Sequence, residues 1–223
     1  MVDPSEVDGS EIARVLLQWW QGNGRWFPWR RLPAKPYGIL VAEIMLRRTT
    51  AAAVARDYDR FLERFPSVNA LASASIDEIA NALQGIGLYR QRASAFHQMA
   101  NHVLATWGGQ IPETLNELLS IPHVGSYTAH AVLAFCFNAP VGVVDCNVVR
   151  VVNRLLGKTQ QPLPIRECQK VVDYWVPIGE SRSFCWALLD FGAAVCRYRR
   201  PACQDCSLSQ FCRTQVGCEP GQH

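Results

Sequence analysis

Apolar residues recur along this chain at helical spacing, three or four positions apart, and polar residues fill the other faces. Ile12, Val15, Leu16 and Trp19 share one face of a helix that Ser10 can cap and that runs to about Gln21. Pro36 suits the first position of an apolar helix reaching Arg48. A third helix spans about Ala51 to Arg64 and stops before Pro66. Ser75-Ile76-Asp77-Glu78 has the form of a capping box, with Ile79, Ala80 and Leu83 following at helical spacing. The Gly85–Gly87 turn ends that helix, and the next continues to Trp107. Pro112 is read as opening a short helix that ends near Ser120. Further helices fit Ser126–Phe137, Asn147–Leu156, Ile165–Trp175 and Ser183–Val195. No run alternates with period two, and the extended candidate Pro140–Val144 is too short to seed a sheet. There is no internal repeat. The pattern predicts an all-α fold.

Composition sharpens this picture. The chain has 223 residues, 49% hydrophobic and 18% charged, enough for one large domain or two small lobes with a real core. The net charge of +3 neither demands nor excludes a nucleic-acid partner. The cations are lopsided, with 19 Arg and only 3 Lys (Lys35, Lys158 and Lys170). The acidic start, Met1 to Asp8, is not a secretory signal. Ala129–Val144 holds His130, Asn138, Pro140 and Gly142, and falls short of the ~20 apolar residues of a membrane span. A soluble monomer without membrane attachment is expected, cytoplasmic and associated with the nucleoid. In that reducing setting its nine Cys should be thiols or metal ligands.

Four of them, Cys196, Cys203, Cys206 and Cys212, form C-x6-C-x2-C-x5-C. Close thiolates can grip one metal centre while the longer loops wrap around it, which suits either a [4Fe–4S] cluster or structural zinc. Cys136, Cys146, Cys168, Cys185 and Cys218 read as small buried hydrophobes. A second local feature is Ile121-Pro122-His123-Val124-Gly125, a tight turn between two helices. Amides of Val124, Gly125, Ser126 and Tyr127, at a helix N-terminus, can bind a DNA phosphate without side-chain charge. Alone, this is also the form of an ordinary helix–helix turn.

The turn, the segment Val144-Asp145-Cys146-Asn147-Val148-Val149-Arg150-Val151 and the four cysteines follow one another in order. Together they resemble the helix–hairpin–helix DNA glycosylases of the endonuclease III superfamily, from about Leu17 to Cys212. Phe27-Pro28-Trp29-Arg30 and Ala42-Glu43-Ile44-Met45-Leu46-Arg47-Arg48-Thr49-Thr50 resemble the mismatch branch. The Leu-Arg-Arg-Thr-Thr string and Tyr127 are similar to its thymine/uracil group. The resemblance implies a six-helix lobe carrying the hairpin, residues 25–137, and a cluster lobe, residues 1–24 with 138–223. It implies a substrate pocket in the cleft between them, and iron rather than zinc.

It also assigns roles beside the plain readings. Asp145 reads as a helix N-cap; the resemblance makes its carboxylate the stabiliser of an oxocarbenium-like sugar. Glu43 reads as an i,i+4 partner of Arg47 on a solvated face; the resemblance makes it a buried carboxylate at the flipped base or its water. Strand-cutting relatives carry Lys where Tyr127 stands and form a Schiff base. No Lys lies between Lys35 and Lys158, so base removal without strand cleavage is expected. Leu88 matches a wedge and Arg48 a plug for the vacated stack, against readings as a turn leucine and a surface arginine. Trp186 falls where the adenine branch has Gln; it cannot make a bidentate adenine contact, and it also reads as a core side chain. His123 replaces a glycine and is strained if the turn needs positive φ. Arg197, Arg199 and Arg200 are phosphate contacts or a solvated run.

The expected activity is excision of thymine or uracil from T·G or U·G pairs in double-stranded DNA. The abasic product passes to other repair enzymes. The alternatives are excision of adenine from A·G or A·8-oxoguanine pairs, and a non-catalytic, metal-stabilised DNA-binding module. The presence of both Glu43 and Asp145 speaks against the last.

Overall fold

A computed structural model describes residues 7–214; residues 1–6 and Cys218 lie outside that range. Every regular element among the described residues is helical, as the hydrophobic pattern predicts. The helices are α1 (Gly9–Asn23), α2 (Pro36–Leu46), α3 (Ala51–Arg64), α4 (Val68–Ser73), α5 (Ile76–Ala82) and α6 (Tyr89–Trp107). They continue with α7 (Leu115–Ser120), α8 (Ser126–Phe137), α9 (Cys146–Leu155), α10 (Ile165–Trp175) and α11 (Ser181–Ala194). No helix among the described residues is long and apolar enough to cross a membrane.

Contacts divide the chain into two compact units. One is Trp26–Phe137. Its central helices are α2, buried from Gly38 to Met45, and α8, buried from Thr128 to Phe135. Both are apolar on all sides, as a helix enclosed by others requires. They pack on each other, and α6 packs across α2, α4 and α5. The other unit takes the chain through Arg25 and from Asn138 onwards. There α1 packs on α10 and α11, and α9 also packs on both. Asp190 of α11 is fully buried and accepts from Trp20 Nε1, Arg25 N and Arg25 Nε at 2.8–3.1 Å. A buried carboxylate needs such a set of donors to offset its lost hydration.

Several boundaries differ from the sequence reading for local reasons. Asp8, not Ser10, caps α1, because its carboxylate accepts from the amides of Ser10 and Glu11. Pro112 does not open α7; Thr114 does, accepting from the Glu117 amide. The short α4, capped by Ser67, has six residues, too few to show a period. The capping box of α5 forms with both of its reciprocal bonds. Helix α2 stops at Leu46, so Arg47 and Arg48 leave the helix.

Candidate active site

Within the unit Trp26–Phe137, Glu43 sits inside α2 and is only 6% exposed. Arg47 is the C-cap that follows the last turn, and Glu43 is buried, so Glu43 does not lie on a solvated helix face. Partial burial lowers the Arg47 pKa and the charge of Glu43 opposes it, so the two groups sense each other. The Arg47 guanidinium donates to the His123 carbonyl, joining the end of α2 to the hairpin.

The chain then takes an unusual path. Arg48 has φ 50°, Leu88 φ 61° and His123 φ 64°, all in the left-handed region that disfavours side chains. All three line one pocket of about 300 Å³, together with Ile44, Arg47, Gln91, Arg92 and Ala95. Leu88 is 47% exposed, unlike a core leucine. His123 holds its ring on Gln98, Nε2 to Oε1 at 2.8 Å. Strain gathered at one pocket is a mark of function.

The hairpin differs from expectation in one respect. The Val124 amide does not point outwards; it donates to Ile121 O at 3.0 Å and closes the turn, and Val124 itself is buried. Of the four amides expected to face an anion, those of Gly125, Ser126 and Tyr127 lie at the start of α8. Gly125 and Ser126 are exposed, and Tyr127 is partly so. His130 is buried and its Nδ1 lies 2.6 Å from Ser126 O.

In the other unit, Asp145 is half-buried and caps α9. One carboxylate oxygen accepts from the Val148 amide and the other from Asn147 Nδ2, each at 2.8 Å. Arg150 orients Asn147 through Nη2 to Oδ1 at 2.9 Å. The same guanidinium donates to Cys196 O at 2.8 Å and Gly192 O at 2.7 Å. Gly192 lets α11 lie this close to the start of α9, because a Cβ there would lie 3.0 Å from that of Asn147. The N-cap and a fixed carboxylate are thus one arrangement, and Asn147 and Arg150 are supporting residues that the sequence reading quoted without a role.

The first cysteine loop is fastened by Arg154, whose guanidinium donates to Arg197 O, Tyr198 O and the Cys196 sulfur at 2.8–3.4 Å. Arg197, Arg199 and Arg200 are exposed along it. Cys196, Cys203, Cys206 and Cys212 are all half-buried. Burial pushes the Cys206 thiol up to about 11, and Cys196, Cys212 and Cys203 add to the shift, so the four sulfurs share one neighbourhood. Among the described residues, no three His, Cys, Asp or Glu side chains converge on a point that would hold a single metal ion. Ser207 Oγ and Thr214 Oγ1 are buried there without a hydrogen-bond partner. Four half-buried thiols on one loop system are the donor set that an iron–sulfur cluster or a zinc ion takes.

Trp186 is 4% exposed and packs 6.0 Å from Trp20, as a core side chain of its unit. The signal that the sequence reading lacked is Arg92. It is 5% exposed and donates to five acceptors around the pocket. Its position in an amphipathic helix gave no hint of that.

One all-helical unit thus carries a hairpin that opens a helix and left-handed, cation-bearing loops, and the other carries a carboxylate that caps a helix. Residues 41–177 match the family described as HhH-GPD superfamily base excision DNA repair protein, and the chain belongs to it. It is 36% identical over 220 residues to the thymine/uracil-DNA glycosylase of Methanothermobacter thermautotrophicus, covering 98% of this chain and 99% of that one. It is also 36% identical over 199 residues to the adenine DNA glycosylase of Mycolicibacterium smegmatis, covering 89% of this chain and 67% of that one. A solved thermostable thymine-DNA glycosylase superposes with a TM-score of 0.88 at 35% identity, over 92% of this chain and 95% of that one.

Proposed function

We propose that this chain is a DNA glycosylase that extrudes thymine or uracil mispaired with guanine and hydrolyses its N-glycosidic bond without cutting the strand. The observation that carries this reading is the end-to-end match to a chain named thymine/uracil-DNA glycosylase. Breaking the bond places positive charge on the sugar. A carboxylate held by two donors, as Asp145 is, stabilises that charge without having to reorganise. Glu43, buried in α2, is the group that positions water or hydrogen-bonds the departing base. Tyr127 occupies the hairpin position of the strand-cutting lysine and supplies no amine, so the product is an abasic site for other repair enzymes. Cys196, Cys203, Cys206 and Cys212 would hold a [4Fe–4S] cluster, which when bound cross-links the loop that Arg150 and Arg154 fasten.

Adenine excision is the second reading, favoured by the equal identity to the M. smegmatis enzyme. Trp186 weighs against it: a buried indole offers no amide to read adenine. The test is an excision panel on duplexes holding T·G, U·G, A·G, A·8-oxoguanine and hypoxanthine pairs. The expected result is alkali-labile sites at T·G and U·G, with no strand break before alkali. Activity confined to the adenine pairs would overturn the proposal.

A further inference from the structure

The Arg92 guanidinium uses every donor it has on backbone and hydroxyl oxygens. Nε donates to Gly87 O at 2.7 Å. One terminal nitrogen donates to Ile44 O at 2.6 Å and Met45 O at 2.8 Å. The other donates to Arg47 O and to Thr49 Oγ1. Ile44 and Met45 lie in the last turn of α2, whose carbonyls lack helical partners and favour a cation. The other two carbonyls are the informative ones. Arg47 O belongs to the peptide plane that precedes Arg48, and Gly87 O to the plane that precedes Leu88. Turning either plane would change φ of the left-handed residue that follows. The Arg92 amide donates to Leu88 O at 3.0 Å, the first helical bond of α6, so the residue is bonded to the carbonyls on both sides of the Gly87–Leu88 turn. No carboxylate is among these partners, although burial and the charge of Arg47 both work against the Arg92 cation. A buried cation placed against four carbonyls and a hydroxyl, with no carboxylate, serves geometry rather than charge pairing.

We propose that Arg92 is the positioning residue for base extrusion: one side chain sets the left-handed turns that present the wedge, Leu88, and the plug, Arg48, as one rigid pair. This rests on the glycosylase reading for what Leu88 and Arg48 do. It explains why two separate loops hold disfavoured conformations beside the same pocket.

The experiment uses the full chain and a T·G duplex with 2-aminopurine beside the mispaired thymine, whose fluorescence rises when the target leaves the stack. Thermal melting and gel-shift affinity are recorded alongside. Arg92→Gln should bind the duplex with near wild-type affinity. Its fluorescence rise and single-turnover excision should both fall on the order of a hundredfold, the scale for a group displaced by about 1 Å. Adding Leu88→Ala should cost little more, because the wedge is already out of place. Arg92→Lys keeps the cation without the planar fork and should lose about tenfold; it serves if Arg92→Gln does not fold. A folded variant of either kind with wild-type fluorescence rise and excision overturns the proposal, as does a loss additive with that of Leu88→Ala. A wild-type chain that gives the rise but excises nothing overturns the glycosylase reading, and the fluorescence arm still decides the role of Arg92. A wild-type chain that gives no rise overturns both.

Discussion

Two regions of this molecule use the same device on different backbones. Around the end of α2, Arg92 grips carbonyls and holds Arg48 and Leu88 in left-handed conformations. At the start of α9, Arg150 grips carbonyls of Cys196 and Gly192 and orients Asn147, which holds Asp145. The backbone there is relaxed, with Asp145 at φ −99° in the ordinary extended range. Each left-handed side-chain-bearing residue costs about 1–2 kcal/mol, so the first region stores strain that the second lacks. The difference follows from the tasks proposed for them. Forcing a base from its stack needs side chains projected outwards on unyielding loops. Stabilising a sugar cation needs only a fixed charge, and an N-cap supplies that without strain.

The largest expected effect lies in the relaxed region. Asp145→Asn keeps a good N-cap, so melting should stay near wild type, yet it removes the charge. Single-turnover excision at T·G should fall by about a hundredfold to a thousandfold, while gel-shift affinity and the 2-aminopurine rise remain. Near-normal turnover would remove Asp145 from the chemistry. Arg150→Met is the next test. It leaves two carbonyls without their donor, costing roughly 1–3 kcal/mol in urea unfolding, and frees Asn147 to turn. Excision should drop about tenfold, and amides of residues 196–203 should exchange faster with deuterium. The extrusion signal should persist, the reverse of the Arg92 pattern. If Arg150→Met abolished extrusion instead, the division of labour between the two regions would fail.

The helices were legible because apolar spacing, Pro36 and the Ser75–Glu78 box are local signals. The α1 cap was misplaced because Asp8 and Ser10 are both good caps two residues apart, and only the hydrogen bonds choose between them. Glu43, Asp145 and the four cysteines stood out as residue types foreign to their surroundings or regularly spaced. Arg92 did not, because four of its five partners are carbonyls, which every residue carries. Nor could spacing reveal that the Val124 amide turns inwards, since that depends on how the turn closes on Ile121. Side-chain chemistry is written in the sequence; the backbone atoms it will meet are supplied by the fold.

The smallest effect isolates the strain itself. Arg48 is exposed at φ 50°, so Arg48→Gly removes a left-handed cost of about 1–2 kcal/mol and adds up to about 1 kcal/mol of unfolded-chain entropy. The net should be a gain of roughly 0.5–1 kcal/mol in urea unfolding, accompanied by weaker extrusion because the plug is gone. Cys146→Gly is the matched change in the relaxed region. Cys146 is exposed in the first turn of α9, not buried as its apolar neighbours suggest, and glycine there relieves nothing and costs about 0.5–1 kcal/mol. Opposite signs at the two sites, read as urea midpoints at constant m, would show that stability is given up at the extruding loops and not at the carboxylate. A loss at Arg48 as large as that at Cys146 would mean that the left-handed turn carries no strain, and the contrast between the regions would reduce to their side chains.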